Sequence, residues 1–500
     1  MFRVRLRESV RGLASLGFAG VLAFGLGPAG AGAVAGSLPQ PMPTVGEYQF
    51  LSGSITPPTE ANCFSVGRRC FTSASMQASY NLPALYGAAG TNEGQGMTIA
   101  IIDSFGNPNM ASDLANFDTQ MGLQHMCGEP GLSCAAGMPT FQHVFWDGKT
   151  EVKAPPPGSH GTGQQTRNIW ALETSLDVEW AHTIAPKANI LNVTTNPAET
   201  LGVQGFPAMM DAEQFIVDHH QATVISQSFA AAEETFPSVQ SLMNLRHAFI
   251  SAAANGVTVL GSSGDGGSAN SSKTPVKNPV TLPFPTVEWP ASDPLVTGTG
   301  GTYLCTNPVT GLGVDSADPP VNCQSHPGVR EIGWIDSGGG FSHVFSRPSY
   351  QDKNMLPAGS TAIGAMRGVP DVGYQASSRT GVLVYDTAPG DASGGLKCPA
   401  GDPCSAGWYV VGGTSASSPQ WAGLVAIADQ IAGHGLGLIN PALYALASGP
   451  NYSTYFYDVT TGNNQADPAI TGYPATTGWD PVTGLGTPNA ATLVPALAGH

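Results

Sequence analysis

Short apolar runs alternate with amphipathic stretches over the first half of the chain. The apolar runs have strand length, and the stretches between them have helical spacing, clearest near 206–220 and 239–255. Strands that alternate with helices predict right-handed βαβ units and a parallel sheet covered on both faces. Ligands bind beyond the carboxyl ends of such strands, where Ser104, Ser228 and Asp265 lie. The strand-like runs are 97–104, 188–195, 222–229 and 256–265.

Composition indicates a loop-rich globular chain that works in acid. Of its 500 residues only 11% are charged, and it contains 64 Gly and 41 Pro, which excludes a helical bundle and a disordered protein. The chain contains 19 Lys and Arg and 35 Asp and Glu, so its formal net charge is −16. This balance argues against nucleic acid as a partner, because phosphate binding needs clustered cations. It suits an acidic medium, where part of the carboxylates are neutral.

The first 35 residues are typical of a secretory signal peptide. An Arg-rich start precedes an apolar stretch and small-residue sites; a membrane anchor is the weaker alternative, because the apolar run is short and rich in Gly and Pro. No other apolar run is long enough to cross a bilayer. We therefore expect a secreted, extracellular protein without stable membrane association after signal removal. Residues 36–75 lack periodicity and predict an irregular N-terminal arm.

The eight cysteines also favour an oxidising, extracellular compartment. They lie as close neighbours in the sequence, which favours four locally bridged loops, although eight cysteines allow about 105 pairings in principle. The absence of a CxxC pair argues against a zinc site. The neighbours are Cys63 and Cys70, Cys127 and Cys134, Cys305 and Cys323, and Cys398 and Cys404.

Ser415 is the strongest candidate nucleophile. It lies in GGTSASSPQWAG (412–423), where glycines allow a sharp turn and small neighbours let a carbonyl approach the hydroxyl. The following apolar run predicts a buried helix, so Ser415 should lie near a helix N-terminus, where backbone N–H groups can stabilise an oxyanion. The alternative is a Gly/Ser loop that caps a helix.

Two carboxylates share one face of a predicted helix. Glu173 and Asp177 lie one turn apart on a stripe with Trp170, whereas Glu179 points to the opposite side. No Lys or Arg lies between residues 167 and 187 to offset them. This pattern favours a coupled pair that shares a proton; the alternative is an acidic surface helix.

Asp265 follows a predicted strand in GSSGDGG. An ionised carboxylate would repel a developing negative charge, but a protonated carboxyl can donate a hydrogen bond to it. The alternative is a turn-forming Asp, which is common in such loops.

Together these motifs resemble the sedolisin family of serine-carboxyl peptidases. The resemblance covers roughly residues 79–489 and implies an α/β, subtilisin-like three-layer sandwich over 76–500, with a mostly parallel central sheet flanked by helices on both faces. It implies Ser415 as nucleophile, Glu173 as general base, Asp177 as its proton-sharing partner and Asp265 as oxyanion donor. The collinear motifs are WALETSLDVEWAHTIAP, GSSGDGG, SGGGFSHVFSRPSYQ, RGVPDVG, GGTSASSPQWAG, and YDVTTGNN with TTGWDPVTGLG.

The implied activity is an acid-active serine-type endopeptidase acting as a monomer on proteins or peptides, with tripeptidyl-peptidase activity left open. The family also implies one structural calcium ion, since carboxylates and backbone carbonyls on turns suit a hard cation; an Asp-rich turn without metal is the alternative. The matching positions are Asp458, Val459, Thr476, Gly478 and Asp480.

Two rival functions remain open at this point. Asp103, His160 and Ser415 occur in the order of a subtilisin-type triad, which would work best at neutral to alkaline pH. A non-catalytic secreted binding module is the other.

The sequence departs from the family in one respect. Only about 40 residues separate the expected signal peptide from the catalytic pattern, too few for a folded prodomain.

Overall fold

The computed structural model describes residues 42–43, 47–88, 90–152, 167–195, 205–271, 281–317, 319–388 and 403–500. Contacts divide the chain into Met1–Gly36 and Ser37–His500, and every described residue belongs to the second unit. The expected signal peptide, 1–35, and His160 lie outside the described residues. Within the described ranges, no helix is both long and apolar enough to cross a membrane.

The secondary structure alternates strands and helices over the first half of the chain. The strands are β1 Met42–Pro43, β2 Tyr48–Ser52, β3 Arg69–Phe71, β4 Thr98–Ser104, β5 Phe141–Trp146, β6 Glu151–Val152, β7 Asn189–Thr195, β8 Val224–Gln227, β9 Phe229–Ala232, β10 Thr258–Ser262, β11 Glu288–Trp289, β12 Thr297–Leu304, β13 Glu331–Gly333, β14 Gly340–Ser346, β15 Met366–Val369, β16 Val372–Gln375, β17 Thr380–Asp386, β18 Gly407–Val411, β19 Phe456–Tyr457 and β20 Thr487–Pro488. The α-helices are α1 Glu60–Ser65, α2 Ser73–Ser79, α3 Leu82–Tyr86, α4 Met110–Met121, α5 Arg167–Ile184, α6 Gly205–Asp218, α7 Val239–Met243, α8 His247–Ala254, α9 Val321–Ser325, α10 Thr414–Ala432, α11 Asn440–Ser448, α12 Tyr452–Tyr455 and α13 Ala490–Ala498.

The central sheet has the strand order β13-β12-β10-β8-β4-β7-β5-β6, with β16 also paired to β12. Its inner strands run parallel, and the antiparallel pairs β12–β13 and β5–β6 lie towards its ends. Parallel strands require crossover connections, which the intervening helices supply. The carboxyl ends of β4, β8 and β10 therefore meet at one edge of the sheet.

Apolar side chains fill both faces of this sheet. In β4, Ile99 and Ile101 belong to the hydrophobic core that contains α5 and α10, whereas Ala100 and Ile102 belong to the core that contains α6 and α8. Because successive side chains of a strand point to opposite faces, the two cores lie on either side of the sheet. The predicted fold class, a subtilisin-like α/β sandwich with helices on both faces, is confirmed.

Residues 47–79 differ from the predicted irregular arm. Strand β2 pairs with β18 and β3 pairs with β17, which builds a separate four-stranded sheet from segments far apart in the chain. Helices α1 and α2 each begin with a capping box, at Thr59 and Thr72. These elements are too short to produce a visible periodicity, and their strand partners lie more than 300 residues away in the sequence.

Two boundary predictions also change. The strand expected over 222–229 ends at Gln227. At Phe229 the chain starts β9, which belongs to a different sheet of order β1-β9-β11. The helix expected over 239–255 is divided by a 3₁₀ turn at Asn244–Arg246. Three expected disulfides are present, Cys63–Cys70, Cys127–Cys134 and Cys305–Cys323; Cys398 lies outside the described ranges.

Candidate active site

Ser415 is buried in the first turn of α10. The preceding Gly413 has φ +127°, a conformation that favours glycine, and its N–H donates to the Ala376 carbonyl oxygen. At Gly412 a Cβ would lie 2.1 Å from the Ser378 nitrogen, so only glycine fits there. The GGTS sequence thus lets the chain leave β18, pass close to a neighbouring strand end and start a helix with Ser415 in its first turn.

Glu173 and Asp177 lie on the face of α5 that packs towards α10 and the sheet, and both are fully buried. Burial raises the pKa of Glu173 well above its usual value, the charge of Asp177 raises it further, and the nearby Ser415 hydroxyl lowers it. Neither Glu173 oxygen has a partner at strict hydrogen-bond geometry among the described residues. A buried carboxyl with a raised pKa binds a proton readily, and this one lies next to the candidate nucleophile.

Asp177 is held by Ser228, which was not predicted as a catalytic residue. The Ser228 hydroxyl donates to Asp177 Oδ1 at 2.9 Å, whereas Oδ2 has no hydrogen-bond partner in the described part of the chain. Burial raises the pKa of Asp177 well above its usual value, and the charge of Asp103 raises it further, against the lowering effect of Ser228. Ser228 follows β8, so its strand-end position was the available signal.

Asp103 joins this acid pair. The Asn192 amide donates to Asp103 Oδ2 at 2.9 Å, and Oδ1 has no hydrogen-bond partner in the described ranges. Burial raises its pKa to about 7, against the lowering effects of Thr174 and Asn192. The sequence offered Asp103 as a strand-end residue or as part of a triad with His160, and its approach to Glu173 and Asp177 was missed.

Asp265 lies beside the start of α10. Its Oδ1 accepts hydrogen bonds from the Thr414 N–H at 2.7 Å and from the Thr414 hydroxyl at 2.9 Å. Its Oδ2 is buried without a hydrogen-bond partner within the described residues. Burial raises the pKa of Asp265 well above its usual value and outweighs the lowering effect of the two hydrogen bonds from Thr414, while the charges of Asp336 and Glu288 raise it further. The acid form is therefore favoured, with Oδ2 as the oxygen available to carry its proton.

The structure thus brings all four predicted catalytic residues to one region, where α5, α10 and the carboxyl ends of β4, β8 and β10 meet. No protein-family model matches this chain. Kumamolisin of Bacillus sp. strain MN-32 is 30% identical over 448 residues, which cover 88% of this chain and 65% of kumamolisin. The chain belongs to the sedolisin family.

Other members of the sedolisin family agree with this assignment. Human tripeptidyl-peptidase 1 is 30% identical over 360 residues, covering 67% of this chain and 53% of that protein. The chain therefore spans less than two thirds of either relative. The solved structure of Pseudomonas sedolisin, a serine-carboxyl proteinase complexed with pseudo-iodotyrostatin, aligns with a TM-score of 0.61 and 23% identity, over 87% of this chain and 99% of that structure; this likeness concerns the fold.

The calcium positions expected from the sedolisin family come together near the C-terminus. Both Asp458 oxygens accept from the Gly478 N–H, at 3.0 and 3.2 Å, and Asp480 Oδ2 accepts from the Thr476 N–H at 3.1 Å. Burial raises the pKa of Asp480 to about 7 and also raises that of Asp458. Two half-buried or buried carboxyls beside the carbonyl-bearing turns of Val459 and 476–478 form a set of oxygen donors that suits Ca²⁺.

Proposed function

We propose that this protein is a secreted, acid-active serine-carboxyl peptidase that hydrolyses protein or peptide substrates through an acyl-enzyme on Ser415. The observation that carries the proposal is the burial of Glu173 beside the Ser415 hydroxyl, with Asp177 one turn away and coupled to it. In this proposal a carboxyl group is the base that removes the hydroxyl proton. Membership of the sedolisin family supports this assignment.

The proposed reaction follows from these positions. Ser415 Oγ attacks the carbonyl carbon of the scissile bond while Glu173 accepts the hydroxyl proton, and the carbonyl oxygen becomes an oxyanion. When the oxyanion collapses, the C–N bond breaks and the leaving amine takes the proton from Glu173. Water then attacks the acyl carbon by the same route, which releases the acid and restores Ser415. Asp177 holds Glu173 in position and shares its proton. The reacting form of the pair carries a single proton, on Asp177, so that Glu173 is ionised and can accept the proton of Ser415.

Asp265 supplies a neutral hydrogen-bond donor for the oxyanion. Because Oδ1 is occupied by two donors from Thr414, the proton of the acid form resides on Oδ2. One oxyanion donor of this kind is worth about 3–4 kcal/mol of transition-state stabilisation. The role requires the protonated state, which the raised pKa of Asp265 provides in acid.

Digestion of a denatured protein at about pH 4, near the usual pKa of a carboxyl group, tests the proposal. We expect Ser415→Ala and Glu173→Gln each to lose about 10⁴-fold or more in kcat. The matched control is Glu179→Gln, a buried carboxyl on the opposite side of the same helix, which should retain activity. Loss of activity in His160→Ala together with full activity in Glu173→Gln would instead establish the histidine triad. If the wild type cleaves nothing, the binding module is the better interpretation.

We further propose that Asp458, Val459, Thr476, Gly478 and Asp480 hold one structural calcium ion. A bound ion would supply positive charge between two carboxylates and take no part in the chemistry. An ion that binds only the folded chain stabilises it, by about 2.7 kcal/mol at a concentration of 100 times its Kd.

Chelation should therefore lower the melting temperature of the wild type, measured by calorimetry, and Asp480→Asn should remove this dependence. The matched control Asp467→Asn, whose carboxylate caps a turn in the same region by accepting from the Ala469 N–H at 2.8 Å, should keep it. Equal melting curves with calcium and with chelator would exclude a calcium site here.

A further inference from the structure

A second group of ionisable side chains lies at the end of α4, outside the catalytic residues. Asp118 lies in the last turn of that helix, and His125 and Glu129 follow in the connection to β5. One ligand atom from each of these three side chains lies within 4.8 Å of the other two. We call these three residues the α4 cluster.

Both carboxylates of the α4 cluster are removed from water. The side chains of Asp118 and Glu129 are 0% exposed. Glu129 Oε1 accepts from the Met126 N–H, and Oε2 lies 2.5 Å from His125 Nδ1. Within the described residues neither Asp118 oxygen has a partner at full hydrogen-bond geometry. Oδ2 lies 3.3 Å from His182 Nε2, and the carboxyl group lies next to that of Glu129.

The nearby histidine does not fully compensate these acids. His182 Nε2 lies 2.9 Å from the Gln124 carbonyl oxygen and 3.3 Å from Asp118 Oδ2, so one ring nitrogen serves two acceptors. Two buried carboxylates that face each other repel, and an uncompensated charge in the interior is costly. A cation between Asp118 and Glu129 would remove both penalties at once.

We propose that the α4 cluster binds a divalent transition-metal cation of the zinc type, through Asp118, Glu129 and His125 Nδ1. One imidazole and two carboxylates are suitable ligands for Zn²⁺, whereas Ca²⁺ takes six to eight oxygens. The His125 side chain is 37% exposed, so the ion can enter from that side and keep a water as fourth ligand. His182 serves as an outer partner that orients Asp118.

Such an ion would join separate parts of the fold. It would hold the end of α4 to the loop that carries the Cys127–Cys134 disulfide, and through His182 it would extend to α5. The proposed site departs from the expectation that the chain has no zinc site, which considered only cysteine motifs; the ligands here are one histidine and two carboxylates. It is independent of the proposed peptidase chemistry, and its test requires no turnover.

Isothermal titration with Zn²⁺ tests the site, on wild-type protein freed of transition metals and kept in millimolar Ca²⁺. A buffer near pH 6.5–7 leaves imidazole available as a ligand. We expect the wild type to bind one equivalent of Zn²⁺. Losing an outer partner typically lowers metal affinity 10–100-fold, and losing a direct ligand in His125→Gln or Glu129→Gln should lower the Zn²⁺ affinity by more than this. The matched control is His247→Gln, since His247 forms an exposed pair with Asp211 at 3.3 Å and has no third ligand among the described residues; it should bind like the wild type.

Cobalt gives a second readout that does not depend on stability. Co²⁺ bound in the wild type should show visible absorption bands of a low-coordinate nitrogen and oxygen site, and these bands should be absent in His125→Gln. Since His125 is partly exposed, we expect this variant to fold, which circular dichroism checks. If the wild type binds no Zn²⁺, or if His125→Gln binds it equally well, the cluster is an ion-pair and proton-sharing group and the metal site is wrong.

Discussion

At the scale of single residues, Asp265 shows how the surroundings of a side chain decide its chemistry. A carboxyl is a poor oxyanion donor in water at neutral pH because it is ionised. Here the Thr414 backbone and hydroxyl occupy one oxygen, while burial and the charges of Asp336 and Glu288 raise the pKa of the group. The local structure thus selects the protonated donor form.

Asp265→Asn tests this role directly. The amide remains neutral at every pH, so the variant should keep some activity in acid and lose less of it than the wild type towards neutral pH. Its kcat/KM at about pH 4 should fall by up to about 10²–10³-fold, because an amide donor replaces the carboxyl in altered geometry. The measurement is a pH–rate profile from acid to neutral.

The control for this profile is Asp352→Asn, a half-exposed residue paired with Arg347 at 3.1 Å, which should follow the wild type throughout. An Asp265→Asn profile with the same shape as the wild type would show that the ionisation of this residue does not limit the reaction.

At the scale of elements, the crossing of α5 and α10 sets the distance between the proposed base, Glu173, and the proposed nucleophile, Ser415. Gly423, in the middle of α10, faces the last turn of α5: a Cβ built there would lie 2.6 Å from Ile184 Cβ and 3.3 Å from the Ala181 carbonyl oxygen. The two helices can approach this closely only because the residue has no side chain. The approach brings Glu173 to Ser415.

Gly423→Ala should therefore destabilise the protein and lower the proposed activity, even though Ala favours a helix by about 1 kcal/mol over Gly. We expect a net loss of about 1–3 kcal/mol in the free energy of unfolding, measured with urea. A shift of the two helices should also lower kcat, by up to about 10²-fold.

Gly364→Ala is the matched control, since a Cβ there would meet no atom within 4 Å and its φ is not positive. If Gly423→Ala has the stability and kcat of the wild type, the helices repack without cost and their spacing does not position Glu173, the proposed base.

At the scale of the whole molecule, buried carboxyls link stability to acid. Burial raises the pKa of Asp103 and Glu288 to about 7 and that of Glu179 and Asp386 well above the usual value. In the unfolded chain these groups titrate near pH 4. The folded state therefore holds more protons above that pH, so the stabilisation is complete below about pH 4 and is lost as pH rises towards 7 and beyond.

Glu179→Gln should flatten this dependence. The neutral amide resembles the protonated acid, so stability near pH 4 should change little, whereas near pH 7 the variant avoids the cost of a buried charge. Each unit of raised pKa corresponds to about 1.4 kcal/mol. Urea unfolding near pH 4 and near pH 7 measures the free energy of unfolding at each pH. From about pH 4 to about pH 7 this free energy should fall less in Glu179→Gln than in the wild type, by at least about 1 kcal/mol. Asp211→Asn, at an exposed position, should keep the wild-type dependence, and a Glu179→Gln variant with that same dependence would contradict the argument.

The sequence predicted the parallel sheet well because its strands are buried on both faces. Strands β4, β7 and β10 lie within the expected runs, since continuous apolar residues of strand length have few other structures available. The elements of residues 47–79 could not be predicted in the same way. They are short, and their strands acquire meaning only from pairing with β17 and β18.

Among the candidate site residues, the sequence by itself determined the chemical types: a serine between glycines and a helix, two acids on one helix face, and an aspartate at a strand end. Local spacing suffices for this, because helix and strand periods fix which side chains share a face. Only the tertiary structure decided that Asp103 and Ser228 approach Asp177, that Thr414 holds Asp265, and that Gly423 brings α5 to α10. Those contacts join segments far apart in the chain, and the raised pKa values come from burial among them, which no local pattern contains.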